Sequence, residues 1–312
     1  MKTAFLFPGQ GSQSVGMLKA ASDTWPVVEQ TFTEASNILG YDLWDVCQNG
    51  PVEELNQTMV TQPALLTASI ALWRQWFIAG GGEPDYLAGH SLGEYSALVA
   101  AESLDFADAL RLVRLRGELM QTAVPAGEGG MAAILGLEDD QVIAACDEAA
   151  EGDVVSAVNF NAPGQVVIAG NTAAVERAIA LCKERGARKA MALPVSVPSH
   201  CSLMRGAADE LAKALADVNF GNALTPVVQN VTAELVQDAD QLKVNLLKQL
   251  YSPVRWTDSV QLLVEEGVTV AAECGAGKVL AGLAKRIDRS LKVVSIETPE
   301  GLDEALEAFR KD

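Results

Sequence analysis

The feature of this sequence that most constrains its fold is the alternation of short apolar runs with longer stretches whose apolar residues have helical spacing. Such alternation favours an α/β protein, in which helices cover a largely parallel sheet. The apolar runs predict strands at residues 4–7, 86–88, 227–230, 270–274 and 293–296. The periodic stretches predict helices that include residues 94–101, 106–122, 203–215 and 278–287.

A segment in the middle of the chain has an element order of its own. Its pattern predicts a strand at 131–135, a helix at 138–149, strands at 154–158 and 165–169, a helix at 172–185 and a strand at 188–195. This βαββαβ order matches the ferredoxin-like pattern. Turn-forming residues flank it at 125–130 and 194–198. We therefore expect a discontinuous large α/β domain (1–125 and 199–312), an inserted ferredoxin-like subdomain (126–198) and a cleft between them.

The segment Gly89-His90-Ser91-Leu92-Gly93 lies between a predicted strand and a predicted helix. In this context Gly-x-Ser-x-Gly is typical of a nucleophile elbow, a tight turn that presents the serine hydroxyl to a pocket. The following helix begins with amides that favour a developing negative charge. The sequence thus predicts Ser91 as a nucleophile, and an ordinary strand-helix turn is the alternative interpretation.

A serine nucleophile needs a base, and the chain has only two histidines. His90 adjoins Ser91, and neighbouring side chains at a sharp turn point apart, so it is a poor candidate. His200 follows the inserted segment, where the returning chain can bring it over the elbow. Cys201 is an alternative nucleophile, but it lies in no elbow and has only its own neighbour as a base. We therefore predict His200 as the base.

Composition excludes several other functions. The 41 acidic residues outnumber the 23 basic ones, and a net charge of -18 argues against binding to nucleic acid or anionic lipid. Five scattered cysteines without a Cys-x-x-Cys pair predict neither a disulfide framework nor a metal site. No apolar window is long enough for a membrane span, and residues 1–8 are interpreted as the first strand of a cytoplasmic protein.

With these residues in place, the sequence resembles the malonyl-CoA:acyl carrier protein transacylases of fatty acid synthesis and the related acyltransferase domains of polyketide synthases. The resemblance covers essentially the whole chain. Its motifs are FPGQGSQ at 7–13, GHSLGE at 89–94, Arg116-Gly117, VNFNAPGQ at 158–165 and Pro198-Ser199-His200. It implies an α/β-hydrolase-like large domain with a ferredoxin-like insertion.

The resemblance also implies a role for individual residues. Ser91 is acylated, and His200 acts as general base and then general acid. The backbone amides of Gln10 and Leu92 form the oxyanion hole, where each donor can contribute about 3 kcal/mol. Two residues match supporting positions, and three more are candidates for the pocket. These are Arg116, which pairs with the free carboxylate of malonyl, Gln249, whose backbone carbonyl orients His200, and the pocket candidates Gln62, His90 and Asn161.

The implied reaction is ping-pong: Ser91 takes a malonyl group from malonyl-CoA and passes it to the phosphopantetheine thiol of acyl carrier protein. No bound cofactor or metal is expected, and the chain is expected to be a monomer. Ser199 stands where malonyl-selective polyketide domains often have an aromatic residue. The stand-alone enzymes have Pro-Ser-His, so malonyl is expected rather than methylmalonyl.

Other functions share parts of this pattern. An α/β-hydrolase esterase or thioesterase has the same elbow but also an HGGG-type loop, which this sequence lacks. A docking protein without chemistry would lack Ser91 or His200. An acyltransferase subunit of malonate decarboxylase would have the same residues. The sequence does not distinguish such a subunit from a transacylase of fatty acid synthesis.

An acidic carrier protein and a chain of charge -18 repel each other at long range, so the function requires a local basic patch. Scattered solubilising charges are the alternative interpretation for each basic residue. The candidates for the patch are Arg185, Arg188, Lys189, Lys278, Lys285 and Arg286.

Overall fold

The computed structural model describes residues 2–195 and 197–310. Met1, Ser196, Lys311 and Asp312 lie outside the described residues, and so do the predicted domain limits at 1 and 312. Within the described ranges, no helix combines the length and the apolar character that crossing a bilayer requires.

The strands of the described chain form two separate sheets. They are β1 (Lys2–Phe7), β2 (Tyr86–Gly89), β3 (Gly129–Leu135), β4 (Val155–Ala162), β5 (Gln165–Asn171), β6 (Lys189–Ala192), β7 (Val227–Val228), β8 (Leu235–Val236), β9 (Val268–Glu273) and β10 (Lys292–Ser295). The larger sheet has the order β10-β9-β1-β2-β7-β8. Its pairs are parallel except β7 with β8. The predicted α/β class is confirmed.

The helices pack around both sheets. They are α1 (Lys19–Thr24), α2 (Pro26–Leu39), α3 (Leu43–Asn49), α4 (Val52–Leu55), α5 (Thr58–Ile78), α6 (Gly93–Ala100), α7 (Phe106–Thr122), α8 (Asp139–Ala150), α9 (Thr172–Glu184), α10 (Arg205–Ala216), α11 (Ala239–Gln249), α12 (Trp256–Glu265), α13 (Val279–Ile287) and α14 (Pro299–Phe309). A short 3-10 helix, Ser202–Met204, precedes α10.

Strand β1 is buried on both faces at the centre of the larger sheet. Phe5 and Phe7 belong to the main hydrophobic cluster, which includes residues of α2, α5 and α7. Ala4 and Leu6 point the other way, into a second cluster with Trp256 of α12. Because successive side chains of a strand alternate between faces, a strand covered on both sides has the continuous apolar run seen here.

The smaller sheet is antiparallel, with the order β4-β5-β3-β6. Its elements follow the order β3-α8-β4-β5-α9-β6, and α8 and α9 pack on one of its faces. Two main-chain hydrogen bonds connect it to the rest of the chain: the Val254 amide donates to Val158, and the Phe160 amide donates to Val254. The other face of the sheet contributes Met131 and Val167 to a cavity shared with the larger sheet.

Several elements differ in length from those predicted. The strand predicted at 227–230 ends at Val228, because the Asn230 amide donates to the buried carboxyl group of Glu94 instead of to a neighbouring strand. The strand predicted at 154–158 continues to Ala162, and the one predicted at 188–195 spans only Lys189–Ala192. The helix predicted at 203–215 begins with the 3-10 turn.

Candidate active site

Ser91 stands in a tight turn between β2 and α6, with a left-handed backbone (φ 51°). The flanking glycines are required by close backbone contacts. A Cβ atom on Gly89 would lie 1.9 Å from the Gly93 carbonyl oxygen, and one on Gly93 would lie 2.0 Å from the Phe7 carbonyl oxygen. A side chain at either position would push the turn away from β1 or from its own helix, so the Gly-x-Ser-x-Gly pattern is a packing requirement.

The Ser91 hydroxyl faces His200, whose Nε2 lies 2.8 Å from the Ser91 Oγ. The other ring nitrogen, Nδ1, lies 2.7 Å from the backbone carbonyl oxygen of Gln249. Because a carbonyl only accepts, Nδ1 carries the proton and Nε2 is free to accept one from the serine. The His200 amide donates to the Leu250 carbonyl, which holds the histidine backbone against the end of α11.

Burial and a neighbouring cation keep His200 neutral. The side chain is 3% exposed, and burial together with the charge of Arg116 lowers the pKa of His200 to about 3. A neutral imidazole is the form that accepts a proton. The geometry therefore provides a serine with its base, in which a backbone carbonyl takes the position that an aspartate has in a Ser-His-Asp triad.

The Arg116 side chain projects from α7 to the floor of the site and is 1% exposed. Its Nη1 donates to Gln62 Oε1, and its Nη2 donates to Gln249 Oε1, each at 2.9 Å. The Nη2 also lies 3.3 Å from the Ser91 Oγ. These three partners are uncharged, and burial lowers the pKa of the guanidinium. A buried cation whose hydrogen-bond partners are neutral is a strong attractor for an anionic group.

Gln10 and Leu92 both border the cavity beside Ser91. Gln10 lies in the loop after β1, and Leu92 is the N-cap of α6. Neither backbone amide donates a hydrogen bond to another group within residues 2–195 and 197–310. Close packing holds the two loops together, because a Cβ on Gly9 would lie 2.4 Å from the His90 carbonyl oxygen.

These groups open into a cavity of about 430 Å³. Its walls come from the loop after β1, the elbow, the inner face of the smaller sheet and the start of α13. The apolar part of the wall includes Met131, Val167, Leu193, Leu280 and Leu283. The cavity wall therefore combines the polar groups around Ser91 with an apolar surface.

The three further pocket candidates have different positions. His90 and Asn161 line the cavity and contact each other, with His90 Nε2 2.7 Å from Asn161 Oδ1. Gln62 lies behind Arg116 and is fully buried. Of the nine predicted residues, eight thus contact the Ser91 hydroxyl or His200 or line the cavity. The ninth, Gln62, contacts Arg116 and not the cavity.

Two residues at the elbow had no role in the sequence analysis. Asn230 Oδ1 accepts from the Ser91 amide at 2.7 Å, and the Asn230 amide donates to Glu94 Oε2 at 2.7 Å. Glu94 is fully buried, and this burial raises its pKa to about 7. Asn230 was placed in a predicted strand, so its position gave no signal. Glu94 belongs to the GHSLGE motif and lies in the first turn of α6, but the motif indicates no role for its side chain.

The described residues contain no group of three or more histidine, cysteine or acidic side chains placed to hold a metal ion. All five cysteines are buried and unpaired. Cys201 donates to the Pro198 carbonyl, and burial raises the pKa of its thiol to about 11. Ser91 is therefore the group in this site that the geometry equips as a nucleophile.

Residues 4–296 match the family model for the acyl transferase domain. The malonyl CoA-acyl carrier protein transacylase of Salmonella typhimurium is 58% identical over 303 residues, which cover 97% of this chain and 98% of that protein. The crystal structure of an acyl carrier protein S-malonyltransferase from Vibrio cholerae is 57% identical and superimposes with a TM-score of 0.95, covering 97% of this chain and 99% of that one. A malonyl-transacylase solved in complex with its type II PKS acyl-carrier protein is 54% identical, with a TM-score of 0.97 over 99% of this chain and 100% of the other.

Proposed function

Since this chain belongs to the family of acyl transferase domains, we propose that it moves a malonyl group from malonyl-CoA to the thiol of acyl carrier protein, as a step of fatty acid synthesis. The transacylase names of relatives that match nearly the full length support this reaction. The arrangement around Ser91 supports it independently.

One observation carries the choice of substrate: a buried guanidinium lies 3.3 Å from the candidate nucleophile. In a malonyl thioester, the free carboxylate is separated from the reacting carbonyl by a single methylene. When the carbonyl meets Ser91, the carboxylate is therefore only a few bonds away, and Arg116 is close enough to Ser91 to bind it. A planar guanidinium can meet a carboxylate with two hydrogen bonds, and in a dry site such charge-assisted bonds are strong.

In the first half-reaction, the Ser91 Oγ attacks the thioester carbonyl and its proton passes to His200 Nε2. The amides of Gln10 and Leu92 stabilise the oxyanion of the tetrahedral intermediate. The carbon-sulfur bond then breaks, the sulfur takes the proton from His200, and coenzyme A leaves. Ser91 carries a malonyl ester at the end of this step.

In the second half-reaction, the phosphopantetheine thiol of the carrier protein gives its proton to His200 and attacks the malonyl ester. The carbon-oxygen bond to Ser91 breaks, and the serine recovers its proton from His200. The two halves share one acyl-enzyme, so the kinetics are ping-pong. A thiolate is a good leaving group, and this suits a histidine oriented by a carbonyl rather than by a carboxylate.

We propose that the carrier protein docks at the end of α13. Lys285 and Arg286 are exposed in the last turn of α13, the helix that contributes Leu280 and Leu283 to the cavity wall. Basic side chains at this edge can attract an acidic carrier while its arm enters the cavity. Arg185 is a weaker candidate because it is paired with Glu148. Arg188, Lys189 and Lys278 stay in the proposed patch.

The remaining parts of the proposal concern the setting of the enzyme. A cytoplasmic location agrees with five unpaired cysteines, since reducing compartments keep thiols free. The reaction as written needs no bound cofactor, because coenzyme A and phosphopantetheine arrive and leave with the substrates. We also propose a monomer that consists of a large domain (1–125 and 199–312) and a subdomain (126–198).

Intact-mass measurement after incubation with malonyl-CoA tests the central step. The expected result is a single malonyl adduct on the wild-type protein, lost on addition of holo acyl carrier protein and absent in Ser91→Ala. An undiminished adduct on Ser91→Ala contradicts the assignment of the nucleophile. An adduct that water removes as fast as carrier protein does would indicate an esterase instead.

A further inference from the structure

Both peptide units that flank Ser91 are held by buried side-chain amides. The Ser91 amide donates to Asn230 Oδ1 at 2.7 Å. On the other side, Gln249 Nε2 donates to the Ser91 carbonyl oxygen at 3.0 Å. Asn230 is 1% exposed and Gln249 is fully buried, so neither contact competes with bulk water.

The contact from Gln249 fixes more than a carbonyl group. The Ser91 carbonyl and the Leu92 amide belong to the same planar peptide unit and point in opposite directions. The Ser91 oxygen accepts from Gln249 Nε2 and also from the Glu94 amide at 3.0 Å, and the two donors together fix the Leu92 N–H in the opposite direction. The left-handed conformation of Ser91 (φ 51°) is strained for a residue with a side chain and persists only where its surroundings determine it.

Asn230 is itself held from two directions. Its Nδ2 donates to the Gly89 carbonyl oxygen at 2.7 Å, which fixes the orientation of the side-chain amide. Its main-chain amide donates to Glu94 Oε2 at 2.7 Å. Glu94 is fully buried in the first turn of α6, so its carboxyl group connects the helix start to Asn230, which follows the end of β7.

We infer that Gln249 and Asn230 are positioning residues, whose side-chain amides orient the Ser91–Leu92 peptide that binds the oxyanion. Glu94 acts through Asn230, because its carboxyl group holds the Asn230 backbone in place. The inference rests on the proposed function, because the direction of the Leu92 amide matters only if it binds the thioester oxygen. It gives Gln249 a second role besides the orientation of His200: its backbone carbonyl sets the base, and its side chain sets the amide that meets the oxyanion.

Gln249 also accepts a hydrogen bond from Arg116, so the test must separate these two effects. The variant Gln249→Met keeps the backbone carbonyl and the approximate volume but removes the donor to Ser91. Single-turnover acylation, followed by quenched intact-mass measurement, is compared for malonyl-CoA and acetyl-CoA. We expect both rates to fall about 10- to 100-fold, because loss of an oxyanion donor costs this much or more, with little change in the substrate concentration at half-saturation.

A decrease confined to malonyl-CoA would overturn the inference, since Gln249 would then act through Arg116 alone. Equal rates in Gln249→Met and the wild type would also overturn it while leaving the proposed function intact. A wild-type protein that takes up no acyl group from either thioester defeats the proposed function instead. The two failures are therefore distinguishable.

A second set of variants tests Asn230 and Glu94. Asn230→Asp keeps an acceptor for the Ser91 amide but loses the donor to Gly89, and we expect acylation by both thioesters to fall about tenfold. Asn171→Asp is a matched control, because Asn171 Oδ1 accepts from the Val154 amide in the smaller sheet, and its rate should equal that of the wild type. Equal rates in Asn230→Asp and the wild type would overturn the role of Asn230.

For Glu94, the comparison is between Glu94→Gln, which retains an acceptor for the Asn230 amide, and Glu94→Met, which does not. Acylation should be at least tenfold faster in Glu94→Gln than in Glu94→Met, at matched thermal stability. Equal rates in the two variants would show that the acceptor has no positioning role. If Glu94→Met does not fold, the rates of Gln249→Met decide the inference.

Discussion

The Arg116 guanidinium lies 3.3 Å from the Ser91 hydroxyl oxygen, so the candidate nucleophile and a buried cation share one small volume. This proximity has two consequences. Burial and then the charge of Arg116 lower the pKa of His200, which contacts the same hydroxyl, and the guanidinium creates a place for a carboxylate next to the reacting carbonyl. The same residue thus affects both the protonation state of the base and the choice of acyl group.

Replacement of Arg116 with methionine should reverse the preference for a charged acyl group. We expect kcat/KM for malonyl-CoA to fall about 100-fold, because charge-assisted hydrogen bonds to the carboxylate are lost in a buried site, while acetyl-CoA is affected far less. Acylation by each thioester is measured separately. Arg114→Met is the matched control, since Arg114 lies on the same helix but pairs with Glu118, away from the cavity. An unchanged malonyl preference in Arg116→Met would contradict the carboxylate-binding role.

The sequence predicted those elements whose apolar pattern reflects a single environment. Strand β1 and helix α7 were found because one is buried on both faces and the other has a clear apolar stripe. Helix α5 was not named, although it is the longest helix described. Most of its residues are buried all round and Pro63 lies within it, so it has neither an amphipathic pattern nor an uninterrupted helical composition.

The candidate site was predictable where chemistry limits the choice of residue. Two histidines and one glycine-flanked serine left few combinations, and resemblance supplied Arg116, Gln10 and the carbonyl of Gln249. Asn230 could not be found in this way. Its role depends on a turn that brings residue 230 beside residue 91, and this contact between distant segments has no local pattern.

The packing of the loop after β1 against the elbow gives a second prediction. In Gly9→Ala, the new Cβ would lie 2.4 Å from the His90 carbonyl oxygen, so the loop that carries the Gln10 amide must move. We expect acylation by malonyl-CoA and acetyl-CoA to fall about 10- to 100-fold, since one oxyanion donor is displaced. The single-turnover rate measures this effect.

Gly206→Ala is the control for that prediction. Gly206 lies in α10, and a Cβ there meets no atom within 4 Å. Its acylation rate should be unchanged, and its thermal stability should rise slightly, because alanine favours a helix over glycine by about 0.5–1 kcal/mol. A Gly9→Ala protein that acylates as fast as Gly206→Ala would show that the loop position is not required.

The proposed carrier surface predicts that its variants slow only the second half-reaction, the transfer of malonyl to carrier protein. Reversal of both charges in Lys285→Glu/Arg286→Glu should slow malonyl transfer to carrier protein about tenfold or more at low salt, because like charges then meet at the entrance. Formation of malonyl-Ser91 should stay unchanged. Arg111→Glu is a control, since Arg111 is an exposed basic residue on α7 that pairs with Asp108. Unchanged transfer to carrier protein in the double variant would remove these two residues from the patch.

The pKa of His200 predicts how acylation depends on pH. Burial and the charge of Arg116 lower this pKa to about 3, and the neutral form, which dominates above the pKa, is the base. The acid side of the kcat/KM profile should therefore stay nearly flat from pH 8 to pH 5.5. A histidine with an ordinary pKa of about 6.5 would lose about tenfold over this range.

Two variants identify the group responsible. Burial raises the pKa of Glu94 to about 7, so Glu94 titrates in the same range, and Glu94→Gln removes that titration. In Arg116→Met the cation beside His200 is gone, so the pKa of His200 should rise and the acid limb should move to higher pH. Acylation by acetyl-CoA, which does not need Arg116, is the suitable measurement. An acid limb near pH 6.5 in both the wild type and Glu94→Gln would contradict the lowered pKa of His200. An acid limb that does not move in Arg116→Met would exclude Arg116 as a cause of that lowered pKa.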